Sequence, residues 1–298
     1  VGEQVAQELT SPLFGDLPDG WDLPRAGRLT IRTPLALRPV ATSHGWSGLA
    51  PSAWDGTALH RTLLVPSGPL TVRVTEGITV SWGRALEPVD RACVREQVTW
   101  MLCLHEPLTS LYEVAPAWLV EAGMGRLLRS PSVWEDLART LATTNCSWAL
   151  TKVICRRLCE VLGTGGRSFP TAEQVAAAGP DVLREQVRVG YRAQAFAELA
   201  TAVAEGSLQP QRWLDPALSE PEVMAEILAL RGFGPYAAEG MLGLLGRPRG
   251  FALDSWIRAR LPALLGTGAM SDAAIRERYA PFGRWGATVL WCELTRDW

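Results

Sequence analysis

Two glycines and one carboxylate are the residues here whose type and spacing could do chemistry. In LRGFGPYAAEG, residues 230–240, Gly232 and Gly234 bracket Phe233, and Pro235 follows at once. Glycine admits positive φ and lets another backbone approach closely, and proline suits the first position of a helix. The unpaired amides and dipole of a helix start favour an anion, for which phosphate is the natural occupant. By spacing alone, the same residues also describe a plain helical hairpin with a glycine cap. Asp254, in GRPRGFALDSWIRARL, stands twenty residues beyond Gly234 at the start of a further apolar helix. It reads as an N-cap, or as a carboxylate facing a cleft beside the hairpin, where it would stabilise a developing cation or orient water.

Other reactive groups are sparse. Lys152, in KVICRRL, is the only lysine and falls on the polar side of a helix. The cysteines Cys93, Cys103, Cys146, Cys155, Cys159 and Cys292 are scattered and form no CxxC pair, so they read as reduced thiols in a core and not as a metal or iron–sulfur site. The three histidines, His44, His60 and His105, offer no clear general acid, and SHGW at 43–46 has no evident role.

The elements that must position these groups change character along the chain. With 298 residues, 47% of them hydrophobic and thirteen tryptophan, the chain is globular with substantial cores. The net charge of −2 brings no general attraction to a polyanion, so any nucleic acid must be held by a local patch or by backbone amides. No apolar run reaches bilayer length and VGEQVAQELT lacks a signal pattern, so a cytoplasmic protein is expected.

Residues 1–86 read as a small antiparallel sheet: LTVRV (70–74) and ITVSW (78–82) alternate around the turn EG, with further strands at LTIRT and TALHRTLLV. From Glu87 and Pro88 onward the apolar spacing is helical to the C-terminus. The expected class is α+β, with a sheet domain at 1–86 and a helical domain at 87–298 carrying a hairpin at 219–246. Ser219 and Glu222 form a capping box at the first hairpin helix, and Ala238, Met241, Leu242 and Leu245 make the apolar side of the second.

The stretch LRGFGPYAAEGMLGLLGRPRGFALDSWIRARL resembles the helix–hairpin–helix, glycine/proline-rich loop and trailing aspartate of the DNA glycosylase superfamily. Three upstream or downstream pieces fit in the same order: GRLLRSPSVWEDLARTLATTNCSWALT, GYRAQAFAELA and FGRWGATVLWCEL. The resemblance covers about residues 120–298. The preceding sheet is consistent with the 3-methyladenine DNA glycosylase II and 8-oxoguanine glycosylase branches.

The resemblance implies an enzyme that turns a damaged base out of duplex DNA and hydrolyses its glycosidic bond. Its hairpin amides, here of Gly232, Gly234 and Ala237 around Phe233, would grip a phosphate, and Asp254 takes the place of the catalytic aspartate. Asn145, followed by Trp148, lies in the loop that fills the vacated gap in the duplex; Asn145 and Ser147 read equally as a helix N-cap. Tyr236, Trp285 and Trp291 are the candidates to stack on the base, with Gly240 leaving room opposite Tyr236 and Phe282 a weaker candidate. A tryptophan is more often core than pocket, and each of these also reads as core.

Bifunctional members carry a lysine where this chain has Tyr236, so no Schiff base and no strand cleavage are expected unless Lys152 supplies the amine. Trp291 matches the pocket aromatic of the 8-oxoguanine branch, but Ala287 replaces the glutamine that reads that base. Alkylated purines are therefore the expected substrate. The resemblance further implies a monomer and no cofactor, metal or iron–sulfur cluster, while allowing a monovalent cation at the hairpin when DNA is bound. The alternative is a DNA-binding or lesion-sensing protein without chemistry.

Overall fold

The structure is a computed structural model that describes residues 26–247, 250–251 and 253–298. Five antiparallel strands, β1 (Gly27–Thr30), β2 (Ser52–Trp54), β3 (Ala58–Val65), β4 (Gly68–Thr75) and β5 (Thr79–Trp82), form one sheet in the order β1-β5-β4-β3-β2. The alternation that marked β4 and β5 is realised in space. Val72 pairs with Trp82 and Val74 with Val80, so all four bury together on one face. The turn between them is three residues long, and Gly77 and Ile78 both take positive φ. A β-branched residue rarely adopts that conformation; the Ile78 side chain is held there by complete burial. The strand expected at LTIRT is the shorter β1, and the first 25 residues of the expected sheet region lie outside the described residues.

The helices of eight or more residues are α1 (Pro88–Met101), α2 (Val133–Thr143), α3 (Trp148–Arg157), α4 (Ala172–Val182, kinked at Gly179), α5 (Ala193–Ala204), α6 (Glu220–Leu228), α7 (Pro235–Leu244), α8 (Ser255–Leu265), α9 (Asp272–Tyr279) and α10 (Gly286–Leu294). Side-chain caps start six of them, from Ser132, Ser147, Thr171, Ser219, Asp254 and Ser271. Among the described residues no helix is long and apolar enough to cross a membrane.

Packing divides the chain differently from the change in periodicity at residue 86. The sheet and α1–α7 share one continuous core, which includes Leu59, Val72, Val98, Leu137, Phe196, Trp213, Ile227 and Met241. A second, smaller core joins α8–α10 to the short segment around Leu111 and Leu119, through Ile257, Leu261, Ile275, Tyr279 and Leu290. The sheet is also locked to α2 by buried charge. Glu135 bridges Arg61 of β3 and Arg139 one turn on, and Arg139 donates to the carbonyls of Trp46, Leu49 and Ala50.

Candidate functional site

The two hairpin helices begin in opposite ways. At α6 the box is closed: Ser219 Oγ accepts from the Glu222 amide at 3.4 Å, and the Ser219 amide donates to Glu222 Oε2 at 2.8 Å. At α7 the N-cap is Gly234, in extended backbone, and it brings no side chain. Pro235 has no N–H, and helix geometry gives the Ala237 N–H no carbonyl to bond. The start of α7 thus has no side-chain cap, an arrangement that favours an anion. Gly232 takes φ of +89°, and a Cβ there would stand 2.7 Å from Leu141 Cδ1 and 3.5 Å from Ala195 Cβ. Its missing side chain is what lets the turn rest on α2 and α5.

Asp254 begins α8. Its Oδ1 accepts from the Ile257 amide at 2.8 Å, and among the described residues the other carboxylate oxygen has no hydrogen-bond partner. The carboxylate is half-buried and held rigidly by the cap. Two residues on, the Trp256 ring packs against Trp291, with centroids 5.8 Å apart.

Trp291 forms a wall of an opening near these groups. A cavity of about 290 Å3 lies where the two cores meet, edged by Gly243 and Gly246 at the end of α7, by Trp285, Thr288 and Trp291, and by Glu106 and Leu108 from the turn after α1. A narrow cleft that also touches Trp291 is lined by Leu253, by Ile257, whose amide Asp254 caps, and by Ala287. Asp254 is not itself among the residues lining the cavity.

No family model matches the chain, and no curated protein matches it in sequence. Solved structures do. The 3-methyladenine DNA-glycosylase from Archaeoglobus fulgidus superposes with a TM-score of 0.66 at 19% identity, covering 91% of this chain and 98% of that one. MBOgg1, solved with a low-affinity DNA ligand, gives 0.65 at 17% identity, covering 93% and 98%. The apo 8-oxoguanine glycosylase/lyase from Clostridium acetobutylicum gives 0.59 at 16%, covering 81% and 86%. The fold is that of the DNA glycosylases.

Within the glycosylase fold the expected residues separate. Trp285 and Trp291 both line the cavity, and Trp291 is fixed by donating its indole N–H to the Ser43 carbonyl at 2.8 Å. Tyr236 and Gly240 do not line it: Tyr236 is 44% exposed on α7, and the space beside Gly240 is open. Phe233 is displaced from the expected phosphate site by its chemistry, since its ring is buried in the main core and its amide donates to the Leu230 carbonyl. Phe282 packs against Tyr279 in the second core.

The turn between α2 and α3 resolves a second ambiguity. Ser147, not Asn145, caps α3, accepting from the Leu150 amide at 3.3 Å. Asn145 is exposed at the tip with φ of +47°, a left-handed backbone that asparagine tolerates better than most. Trp148 is not beside it at the tip. Its ring presses on Gly45, where a Cβ would come within 2.3 Å, so it belongs to the sheet seam.

That seam explains SHGW. Ser43 Oγ accepts from the Leu128 amide, His44 Nε2 bonds the Leu128 carbonyl at 2.7 Å, Trp46 donates to Asp136 at 2.7 Å, and Ser43 carries Trp291. Glu106 is the other residue that sequence reasoning missed. It pairs with the buried Arg129, which also donates to the Leu244 carbonyl, and it places a carboxylate at the cavity. All six cysteines are free thiols, and burial pushes the Cys103 and Cys155 thiols up to about 12, leaving them unreactive.

Proposed function

We propose that this chain is a monofunctional DNA glycosylase, which extrudes a damaged base from duplex DNA and hydrolyses its N-glycosidic bond to leave an abasic site. The observation that carries the reading is the Asp254 carboxylate, anchored through one oxygen at the start of α8, two residues before Trp256, whose ring packs on Trp291 of the cavity wall. As the base departs, positive charge grows on the sugar; a fixed carboxylate stabilises it and orients the attacking water, as in glycoside hydrolysis. The uncapped start of α7 holds a phosphate of the same strand through main-chain amides, which positions DNA without reading sequence. Asn145 fills the gap left by the base.

Trp285 and Trp291 offer flat faces to the extruded base, and Glu106 an acceptor-only carboxylate at the cavity edge. That pairing favours an electron-deficient base, and alkylated purines of the 3-methyladenine and 7-methylguanine kind meet the description. Tyr236 in place of a lysine supports hydrolysis without strand cleavage, and Lys152, half-buried on α3, lines neither the cavity nor the cleft. The reaction calls for no cofactor, a monovalent cation being allowed at the hairpin when DNA is bound, and one chain suffices.

The test is mass spectrometry of bases released from methylated duplex DNA by the wild-type chain and by Asp254→Asn. Release is expected to fall by about 100- to 1,000-fold in the variant, with duplex binding retained. Borohydride treatment during the reaction is expected to trap no protein–DNA adduct, and an adduct would bring Lys152 back as the nucleophile. A second reading, a phosphate clamp without chemistry, draws on the absence of Asp254 from the cavity lining. Release by neither protein above the spontaneous rate would favour it, while equal release above that rate would place the catalytic group elsewhere than Asp254.

A further inference from the structure

Arg192, the arginine of GYRA, takes no part in the steps above. It is buried at 4% exposure, and among the described residues no carboxylate pairs with it. A guanidinium in that position must be satisfied by other acceptors. Here they are backbone carbonyls of two turns. Nε donates to the Thr144 carbonyl at 2.9 Å and lies 3.3 Å from Thr144 Oγ1; Nη2 donates to the same carbonyl; Nη1 reaches the Val189 carbonyl at 3.4 Å.

Each carbonyl adjoins a left-handed residue. Thr144 immediately precedes Asn145, at φ +47°, and Val189 follows Arg188, at φ +66°. Such backbone is disfavoured outside glycine and persists only where its surroundings hold it. Asn145 and Arg188 are both exposed, as is Tyr191, whose ring stacks on the Arg192 guanidinium at 4.6 Å. The hairpin turn rests against Leu141 and Ala195, the ends of the helices that carry these turns. Three turns therefore share one face, and one buried fork ties two of them together.

We propose that Arg192 is a positioning residue, which sets the Asn145 turn before DNA arrives and so fixes how Asn145 enters the duplex. The proposal rests on the glycosylase reading. Ordering the turn during folding removes that entropic cost from the encounter with DNA. Lysine cannot replace it, because a single ammonium lacks the planar fork that grips one carbonyl twice.

The experiment uses the full chain and a duplex in which 2-aminopurine stands opposite a tetrahydrofuran abasic analogue, so that a side chain entering the gap unstacks the probe and raises its fluorescence. Asn145→Ala and Arg192→Lys are each expected to slow the rise by about tenfold, and the double variant to be no slower than Asn145→Ala alone. Amide exchange over residues 143–147 of the free protein is expected to quicken in Arg192→Lys at an unchanged Tm. Arg192→Gln is made in parallel, and whichever variant keeps the wild-type Tm is read. An unchanged rise, or a loss that adds in full to that of Asn145→Ala, overturns the proposal. Loss of the folded state in both variants overturns it as well, making Arg192 a folding residue. Wild-type protein that neither binds the duplex nor raises the signal overturns the glycosylase reading beneath it.

Discussion

Between the sheet and α2 the chain buries Arg61, Glu135, Asp136 and Arg139, none more than 4% exposed. Where its two cores meet, it instead leaves a cavity of about 290 Å3 bordered by glycines and tryptophans. The first seam is filled with charges whose partners come from both sides, so any shift of the sheet against α2 would strand an ion in a dry place. Its glycine, Gly45, exists to admit the Trp148 ring. The second seam has glycines at its edge for other reasons: Gly243 lines a space also lined by Trp285 and Trp291, and Gly246 takes positive φ against the Glu106–Arg129 pair. Trp291 joins the two, lining the cavity while donating to Ser43 of the sheet seam. One seam is thus filled and dry, and the other is left open.

The largest effect is expected in the filled seam. Glu135→Ala leaves Arg61 and Arg139 facing each other without their shared carboxylate, and should lower stability by about 3–5 kcal/mol. Urea unfolding followed by tryptophan fluorescence measures it. A loss under about 1 kcal/mol would mean that water reaches these groups and that the seam is not dry.

What was legible in the sequence follows the same division. Local signals came through: the alternation of β4 and β5, the Ser219–Glu222 box, the glycines of the hairpin and the Asp254 cap each depend on residues a few positions apart. The seams did not. Trp148 follows the Asn145 loop in sequence, yet its ring is claimed by Gly45, and nothing local marks that pairing. Phe233 sits between the two hairpin glycines but is pulled into the core by its own apolar ring. Glu106 belongs to an unremarkable turn and gains its place only because the end of α7 folds over it. Periodicity reports which face of an element is buried and is silent on what covers it. For that reason the change from strand to helix near residue 86 does not coincide with the division between the two cores.

Filling the open seam tests its role directly. Gly243→Leu adds a side chain at the cavity edge and replaces glycine within α7, which should raise stability by up to about 1 kcal/mol if the cavity accepts it. Base release is then expected to fall at least about tenfold, since roughly 1.4 kcal/mol of lost stacking suffices for that. Full activity in a folded Gly243→Leu variant would remove the cavity from the mechanism. Trp291→Phe is a milder cut, keeping an aromatic face but losing part of the ring surface and the N–H that ties it to Ser43. About 1 kcal/mol of fixation should disappear, seen as a KM about fivefold higher with kcat little changed. A fall in kcat alone would place Trp291 in the transition state and not in base capture.

The subtlest comparison is a pH dependence confined to the filled seam. Burial pushes the Asp136 carboxyl above its ordinary 3.8, against the opposing donors Ser130 and Trp46. The folded chain therefore holds this proton more tightly than the unfolded chain does. Its contribution to stability is fully present below about pH 3.8 and is lost as pH rises through the folded value. Asp136→Asn keeps the neutral form at every pH. The Trp46 indole and the Ser130 amide both donate to Oδ1, the oxygen that asparagine retains. The stability of Asp136→Asn relative to wild type should thus climb between acid and neutral pH and level off above the folded value. Denaturant melts at a series of pH values read this difference, with other titrating groups common to both proteins cancelling. A flat or falling difference would show that the Asp136 carboxylate ionises without penalty, and the contrast between a dry seam and an open one would lose its physical basis.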